Sequence, residues 1–193
     1  LAQEGTPGGT LYVAAPFDFT ATINPMVGNT DLFIFSHLLK WDGQLNPGPS
    51  LAKDWTISDD GMVYTFNLVD NAMWHDGTPL TAQDVVFSWN RLLNIAGAPA
   101  FNLDGVGAIE AVDDYTVKVS TAPGDDGQPQ SLPQFLTSAS NPSLGIQDSK
   151  LVMEHGGTDA ADAATTDTAK EWLDQNSAGS GPFVLTGWSP KAE

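Results

Sequence analysis

An α/β fold, built as an α+β mixture of hairpins and helices, is what the sequence predicts, and three observations predict it. The stretch "TISDDGMVYTFNL" sets a turn between runs rich in β-branched and aromatic residues, which is a hairpin signature. From Thr81 onward the apolar period changes, with Val85, Trp89 and Leu92 recurring at i, i+4 and i+7 as in a helix. Farther on, "IEAVDDYTVKV" repeats the strand–turn–strand pattern, and short helical stretches follow among Gly- and Pro-containing loops. Hairpins mixed with dispersed helices argue against a sandwich or a bundle.

Each element has its own local reason. After Gly8-Gly9, "TLYVAAP" places Leu11, Val13 and Ala15 on one side and ends at Pro16, a first strand. In "NTDLFIFSHLL", Asn29 or Thr30 can cap, Asp31 suits the positive end of the dipole, and Leu32, Phe35, Leu38 and Leu39 have helical spacing. A buried helix is expected there. Asp42-Gly43 is a favoured two-residue turn, so "LLKWDGQLNPG" predicts a hairpin whose second arm stops at the Pro47 to Pro49 cluster. "SLAKDW" fits a single helical turn. The next hairpin joins Trp55 and Ile57 through "SDDG" to Val63–Leu68.

A helix should start at Ala82, because Thr81 can cap the amide of Asp84 while the Asp84 carboxylate returns to the Thr81 amide. Strands are expected at about 106–112 and 115–121, joined by Asp113-Asp114. "SLPQFLTSA" and "SKLVMEHGG" read as short helices, the second closed by Gly156-Gly157. In the Ala-, Asp- and Thr-biased stretch that follows, only about 168–175 is expected to pack as a helix, and "GSGPFVLTGWSP" reads as entry into one more strand. No internal repeat is found.

The chain has 193 residues, 41% of them apolar, enough for one compact unit with a second lobe. Seven basic residues against 24 acidic ones give a net charge of −17, which repels phosphate backbones and anionic headgroups. Nucleic acid is therefore excluded as an expected partner. There is no Cys, hence neither disulfide nor thiolate metal site, and no apolar run of the length (about 18 residues) that spans a bilayer. The start, "LAQEGTPGGT", lacks the basic and apolar regions of a signal peptide and reads as the lead of a mature exported protein.

The chemistry-bearing residues are few. His75-Asp76 has the composition of a base with its orienting carboxylate, yet "HDGT" is also good turn chemistry, and the turn is the stronger reading. A hydrolase using His75 with Asp76 or Asp84 is the weaker one. His37, His75 and His155 lack the i, i+4 spacing of a helical zinc site. Asp59-Asp60, Asp113-Asp114 and Asp125-Asp126 do not fit a calcium loop and read as turn residues. "GSGP" is neither a nucleophile elbow nor a phosphate loop, since Pro182 removes an amide donor. Phe66, Trp89 and Trp172 fall at periodic core positions, whereas Phe17 and Phe19 follow the first strand, where pockets of α/β proteins form.

Five blocks carry a resemblance: "GGTLYVAAPFDFTATINP", "LAKDWTISDDGMVYTFNL", "WHDGTPLTAQDVVFSWNRLL", "IEAVDDYTVKV" and "GSGPFVLTGW". In their order and spacing they resemble the N-terminal part of extracellular solute-binding proteins of the peptide/nickel class, the capturing components of ABC importers. The resemblance implies a periplasmic-binding-protein-like type II fold, two lobes closing on a ligand. It further implies a flexible lead at 1–7, larger-lobe segments at 8–40 and 178–193, and the smaller lobe at 41–177. On this reading the chain stops as it re-enters the larger lobe.

Ligand contacts implied by the same resemblance are Phe17, Asp18 and Phe19, then Phe101 and Asn102, and Ser138, Ser140 and Asn141. Expected partners are a peptide or other small solute and the permease subunits, with membrane contact only through an N-terminal lipid anchor outside this chain. The expected location is extracytoplasmic, and neither catalysis, metal nor cofactor is expected. The alternative is a stand-alone, non-catalytic interaction domain derived from the smaller lobe.

Overall fold

Residues 34–186, except 125 and 129, are described by the structure, a computed structural model. The strand β1 (Leu39–Trp41) pairs with β2 (Pro47–Pro49), and a separate four-stranded sheet follows from β3 (Ala52–Ile57) and β4 (Val63–Leu68). Next come α1 (Ala82–Ile95), a 3-10 helix (Ala98–Leu103), β5 (Val106–Asp113) and β6 (Thr116–Thr121). Four short helices end the described order: α2 (Phe135–Ala139), α3 (Ser149–Glu154), α4 (Ala163–Thr166) and α5 (Lys170–Leu173). The larger sheet is antiparallel throughout, in the order β3-β4-β6-β5.

Its register separates a wet face from a dry one. Trp55, Phe66 and Val117 stand opposite one another, as do Tyr64, Val119 and Ile109, and all but the partly buried Trp55 are buried. One residue along, Thr56, Thr65, Lys118 and Glu110 form the outward row, where Lys118 Nζ meets Glu110 Oε2 at 3.0 Å. Onto the dry face α1 lays Val85, Val86, Trp89 and Leu92, so the predicted i, i+4, i+7 stripe is the buried one. Phe135 of α2 plugs the same core, edge-on to Tyr64, Phe66 and Trp89 at centroid distances of 4.8, 6.3 and 6.2 Å. The Tyr64 hydroxyl, donating to the Leu132 carbonyl at 2.7 Å, fastens the lead-in to α2.

A smaller core forms where Phe87, on another side of α1, meets Val152, Ala169, Leu173 and Ala178. Between the two cores runs a polar seam. Arg91, 1% exposed, donates from Nε and Nη2 to the two Asp167 oxygens at 2.7 and 2.9 Å and from Nη1 to Gln147 Oε1 at 3.0 Å. The capping box at Thr81 forms, and Asp84 Oδ2 accepts from the Thr81 amide at 2.8 Å. Its other oxygen, Oδ1, reaches across to the Ser149 hydroxyl at 2.6 Å and amide at 3.2 Å. Asp84 therefore starts α1 and ties it to α3 at once.

Several local expectations are corrected. The part of the 29–39 helix that is described is turn, bridge and strand: Ser36 bridges Ile146 and Leu39 begins β1. Phe35, Leu38 and Leu39 are buried, so the apolar run served a core rather than a helical face. "SLAKDW" holds the start of β3, not a helical turn, because Ala52 to Trp55 pair with β4. The first hairpin closes through residues 42–46 instead of a two-residue turn: Asp42 Oδ1 collects the amides of Gln44 and Asn46, both at 2.8 Å, and Pro47 to Pro49 form the second arm.

The 106–121 hairpin forms, but its turn lies at Asp114-Tyr115, one residue later than expected, because Asp113 ends β5 and its Oδ1 accepts from the Tyr115 amide. The 3-10 helix and α4 were not foreseen, and the last helix is the short α5. None of residues 181–186 is in a strand, and the first predicted strand, at 11–15, lies outside the described residues. No helix among the described residues is long and apolar enough to cross a membrane.

Candidate functional site

Thr78 explains why His75 and Asp76 do not work as a pair. Asp76 Oδ1 accepts from the Thr78 amide at 2.8 Å and hydroxyl at 2.7 Å, the Trp74 amide donates to the Thr78 carbonyl, and Gly77 takes φ +85°. Those Thr78 hydrogen bonds, side chain first, together with the charge of Lys150, hold the Asp76 carboxyl below its ordinary range. The His75 ring meets a different partner: Nε2 donates to the carbonyl of Gly181 at 2.8 Å. Asp84, the other candidate carboxylate, is engaged with Thr81 and Ser149.

Around this turn lies a cleft of about 230 Å³, walled by Trp74, His75, Asp76, Asp148, Lys150, Glu154 and residues 177–179. Asp148 caps α3, accepting from the Leu151 amide at 3.0 Å. Burial pushes its carboxyl up, and the nearby charges of Asp84 and Asp76 add to the effect. His75 is thus committed to a main-chain carbonyl rather than to either neighbouring carboxylate.

The ligand-contact residues expected from the sequence fall in two groups. Phe17, Asp18 and Phe19 lie outside the described residues. Phe101 and Asn102 lie in the 3-10 helix, Ser138 in α2, and Ser140 and Asn141 just after it, and the two helices pack together. Ser143 joins them: Asn102 Nδ2 donates to its Oγ at 3.4 Å, and that hydroxyl donates to Asn141 Oδ1 at 2.6 Å. Asn102 also donates to the Pro99 carbonyl, and Ser140 to the Leu136 carbonyl, each bond internal. Of the group, Phe101 alone is strongly exposed, at 66%. Ser143 went unnoticed in the sequence, although "SNPS" is an Asx-turn pattern that would have pointed to it.

The other histidines are accounted for separately. His37, buried, donates from Nε2 to the Pro142 carbonyl at 2.8 Å, and burial lowers its pKa against the raising effect of that bond. His155 stacks on Trp172 with ring centroids 3.9 Å apart, which leaves Trp172 partly buried rather than in the deep core. Among the described residues, no three His, Cys, Asp or Glu are grouped to hold a metal. Asp60, Asp113 and Asp126 each accept main-chain amides two residues on, the turn role expected for them.

Comparisons with known proteins give this geometry a context. The family model for bacterial extracellular solute-binding proteins, family 5 Middle, matches residues 46–193. The probable D,D-dipeptide-binding periplasmic protein DdpA of Escherichia coli (strain K12) is 38% identical over 138 residues, 72% of this chain and 24% of that protein. Among solved structures, NikZ from Campylobacter jejuni in complex with Ni(L-His) has a TM-score of 0.70 at 27% identity, covering 89% of this chain and 32% of its own. The substrate-binding domain of an oligopeptide ABC transporter from Bacillus anthracis str. Ames has a TM-score of 0.69 at 28% identity, covering 89% and 34%. The chain thus spans about a quarter of the curated relative and a third of the solved ones.

Proposed function

The chain belongs to the bacterial extracellular solute-binding proteins of family 5, and from that premise we propose that it takes part in capturing a peptide or related small solute outside the cytoplasm and delivering it to the permease of an ABC importer. The observation that carries this reading is the family match across residues 46–193. Relatives named for D,D-dipeptides and oligopeptides, and one solved with a nickel–histidine complex, set the ligand classes to try first. The role is binding rather than catalysis: such a protein needs a closable cleft, not a nucleophile.

Within this proposal, residues 41–177 form the smaller lobe, while 8–40 and 178–193 belong to a larger one, with 1–7 as a lead. Support for the smaller lobe comes from the packing, since β3 through α2 share one core and the α3 and α5 cluster joins it along α1; Leu38 and Leu39 of the first larger-lobe segment and Ala178 of the second pack onto its edge. Phe101 is the ligand-facing residue of the 101–141 patch, beside Asn102, Ser138, Ser140 and Asn141, and Phe17, Asp18 and Phe19 are further ligand contacts.

Titration calorimetry on the protein encoded by the complete reading frame tests the reading. The panel is Ala-Ala, D-Ala-D-Ala, Ala-Ala-Ala, the nickel–histidine complex and a disaccharide. Saturable heat with at least one peptide is expected, and silence across the whole panel would overturn it.

A further inference from the structure

The chain enters and leaves the described unit through two segments that run side by side. The Gly181 amide donates to the Ile34 carbonyl at 2.7 Å, and the Ser36 hydroxyl donates to the Ser180 carbonyl at 3.1 Å. Gly179 makes the approach possible, since a methyl group there would lie 2.1 Å from the Ile34 carbonyl oxygen. The incoming segment is tied down in turn by the Ile146 amide, which donates to the Ser36 carbonyl at 2.9 Å.

The outgoing segment is held from its other side by two contacts. The Asp148 amide donates to the Ala178 carbonyl at 2.8 Å, at the start of α3. Three residues on, His75 Nε2 donates to the Gly181 carbonyl at 2.8 Å, from a turn 106 residues earlier in the chain. This is a side-chain bond from a rigid turn to a main-chain oxygen. Its donor holds the leaving segment beside the point where the entering segment passes.

We propose that His75 is a positioning residue for lobe closure: by holding the Gly181 carbonyl it keeps 178–181, together with 34–36, the inner ends of the two larger-lobe segments, docked on the smaller lobe. The inference rests on the two-lobed binding reading given above. With the bond in place, the outgoing segment has no freedom to peel away, and closure swings about a fixed axis. Without it, the closed state must first order a loosened connection, and ligand binding weakens by that population.

The test uses the protein of the complete reading frame with His75→Leu, which removes the donor, and His75→Gln, which keeps an N–H able to reach a carbonyl. Hydrogen exchange is read at the amides of 178–181 and, as an internal reference, at those of β4 and β6. Kd is read for whichever peptide of the panel binds the wild type. Loss of one such hydrogen bond should speed exchange of 178–181 and raise Kd about two- to tenfold in His75→Leu, with β4 and β6 unchanged and His75→Gln close to wild type in both readouts. Unchanged exchange at 178–181 overturns the clamp. Faster exchange spread equally over β4 and β6 overturns it too, since His75 would then serve stability alone. Local loosening without a change in Kd overturns the role in closure, and a wild type that binds nothing on the panel overturns the binding reading and this role with it, while the exchange data still report the contact.

Discussion

Replacing Asp167 by Asn should destabilise the protein by about 3–5 kcal/mol, because the change removes one partner of a buried ion pair and strands the other. The Arg91 and Asp167 side chains are 1% and 4% exposed. Besides the two guanidinium bonds, the carboxylate accepts the amides of Thr158 at 2.9 Å and Ala169 at 3.2 Å. An Asn of the same shape turns one acceptor into a donor facing donors, and leaves the Arg91 charge with neutral acceptors alone, the one remaining oxygen at position 167 and the Gln147 side-chain carbonyl. For a chain of this length the cost corresponds to a drop in melting temperature of roughly 6–20 °C.

The exposed pair Lys118–Glu110, with side chains 40% and 57% exposed, is the built-in control: Glu110→Gln should cost under about 1 kcal/mol. Thermal and urea melts followed by tryptophan fluorescence measure both. The double variant Arg91→Met with Asp167→Leu should recover most of the loss, since it removes the desolvation of both charges. A single-variant cost below about 1 kcal/mol, or a double variant no better than the single, would refute the reasoning. An acid limb goes with the pair. Burial raises the Asp167 carboxyl, but the Arg91 and Thr158 hydrogen bonds and the Arg91 charge outweigh it and hold the group below its ordinary value. Its stabilisation is therefore complete above the unfolded carboxylate range, about pH 4, and lost as pH falls through the folded value; Asp167→Asn should flatten that limb.

Asp84→Ala removes the cap of α1 and its link to Ser149 together, so a loss of about 2–4 kcal/mol is expected in urea melts, against about 1 kcal/mol for Ser149→Ala. Burial lowers the His37 pKa, so the unfolded chain takes up the proton first: stability is full above the ordinary histidine value, about 6.5, and falls as pH drops below it. His37→Gln, which keeps a donor for the Pro142 carbonyl, should abolish that fall between pH 7.5 and 5.5 in urea midpoints. Phe101→Ala should leave stability within about 0.5 kcal/mol of wild type, given its exposure, while raising the Kd for a bound peptide severalfold; an unaltered Kd would remove Phe101 from the ligand site.

Much of the fold is legible where the determining chemistry is local. The 52–68 and 106–121 strand pairs declare themselves through alternation and turn residues, and α1 through its period and its cap, because both signals are complete within a dozen residues. Residues 34–39 depart from the helix expected over 29–39 for the converse reason. Phe35, Leu38 and Leu39 have helical spacing, yet what they answer to is a core made by α2, Leu144 and Ile146, far along the chain. A short apolar run carries no mark of which partner will bury it.

The site shows the same division. That "WHDGT" turns the chain is readable from Asp76, Gly77 and Thr78 alone, and the structure bears this out. That His75 reaches Gly181 is not readable, nor is the shared hydroxyl of Ser143 between Asn102 and Asn141. The family resemblance implied contacts at Phe101, Asn102, Ser138, Ser140 and Asn141, but which of these side chains are exposed depended on internal bonds that only packing could assign.

Read alone, the residues settle the element types wherever period and turn chemistry agree, a net charge of −17 and, through five ordered blocks, the family. Tertiary structure decided the partners of the buried polar groups: Arg91 with Asp167 across 76 residues, Asp84 with Ser149 across 65, His75 with Gly181 across 106. Helix and strand signals repeat along the chain and can be read from neighbours. A buried charge has its choice among 24 acids, and only the fold's geometry leaves one within reach.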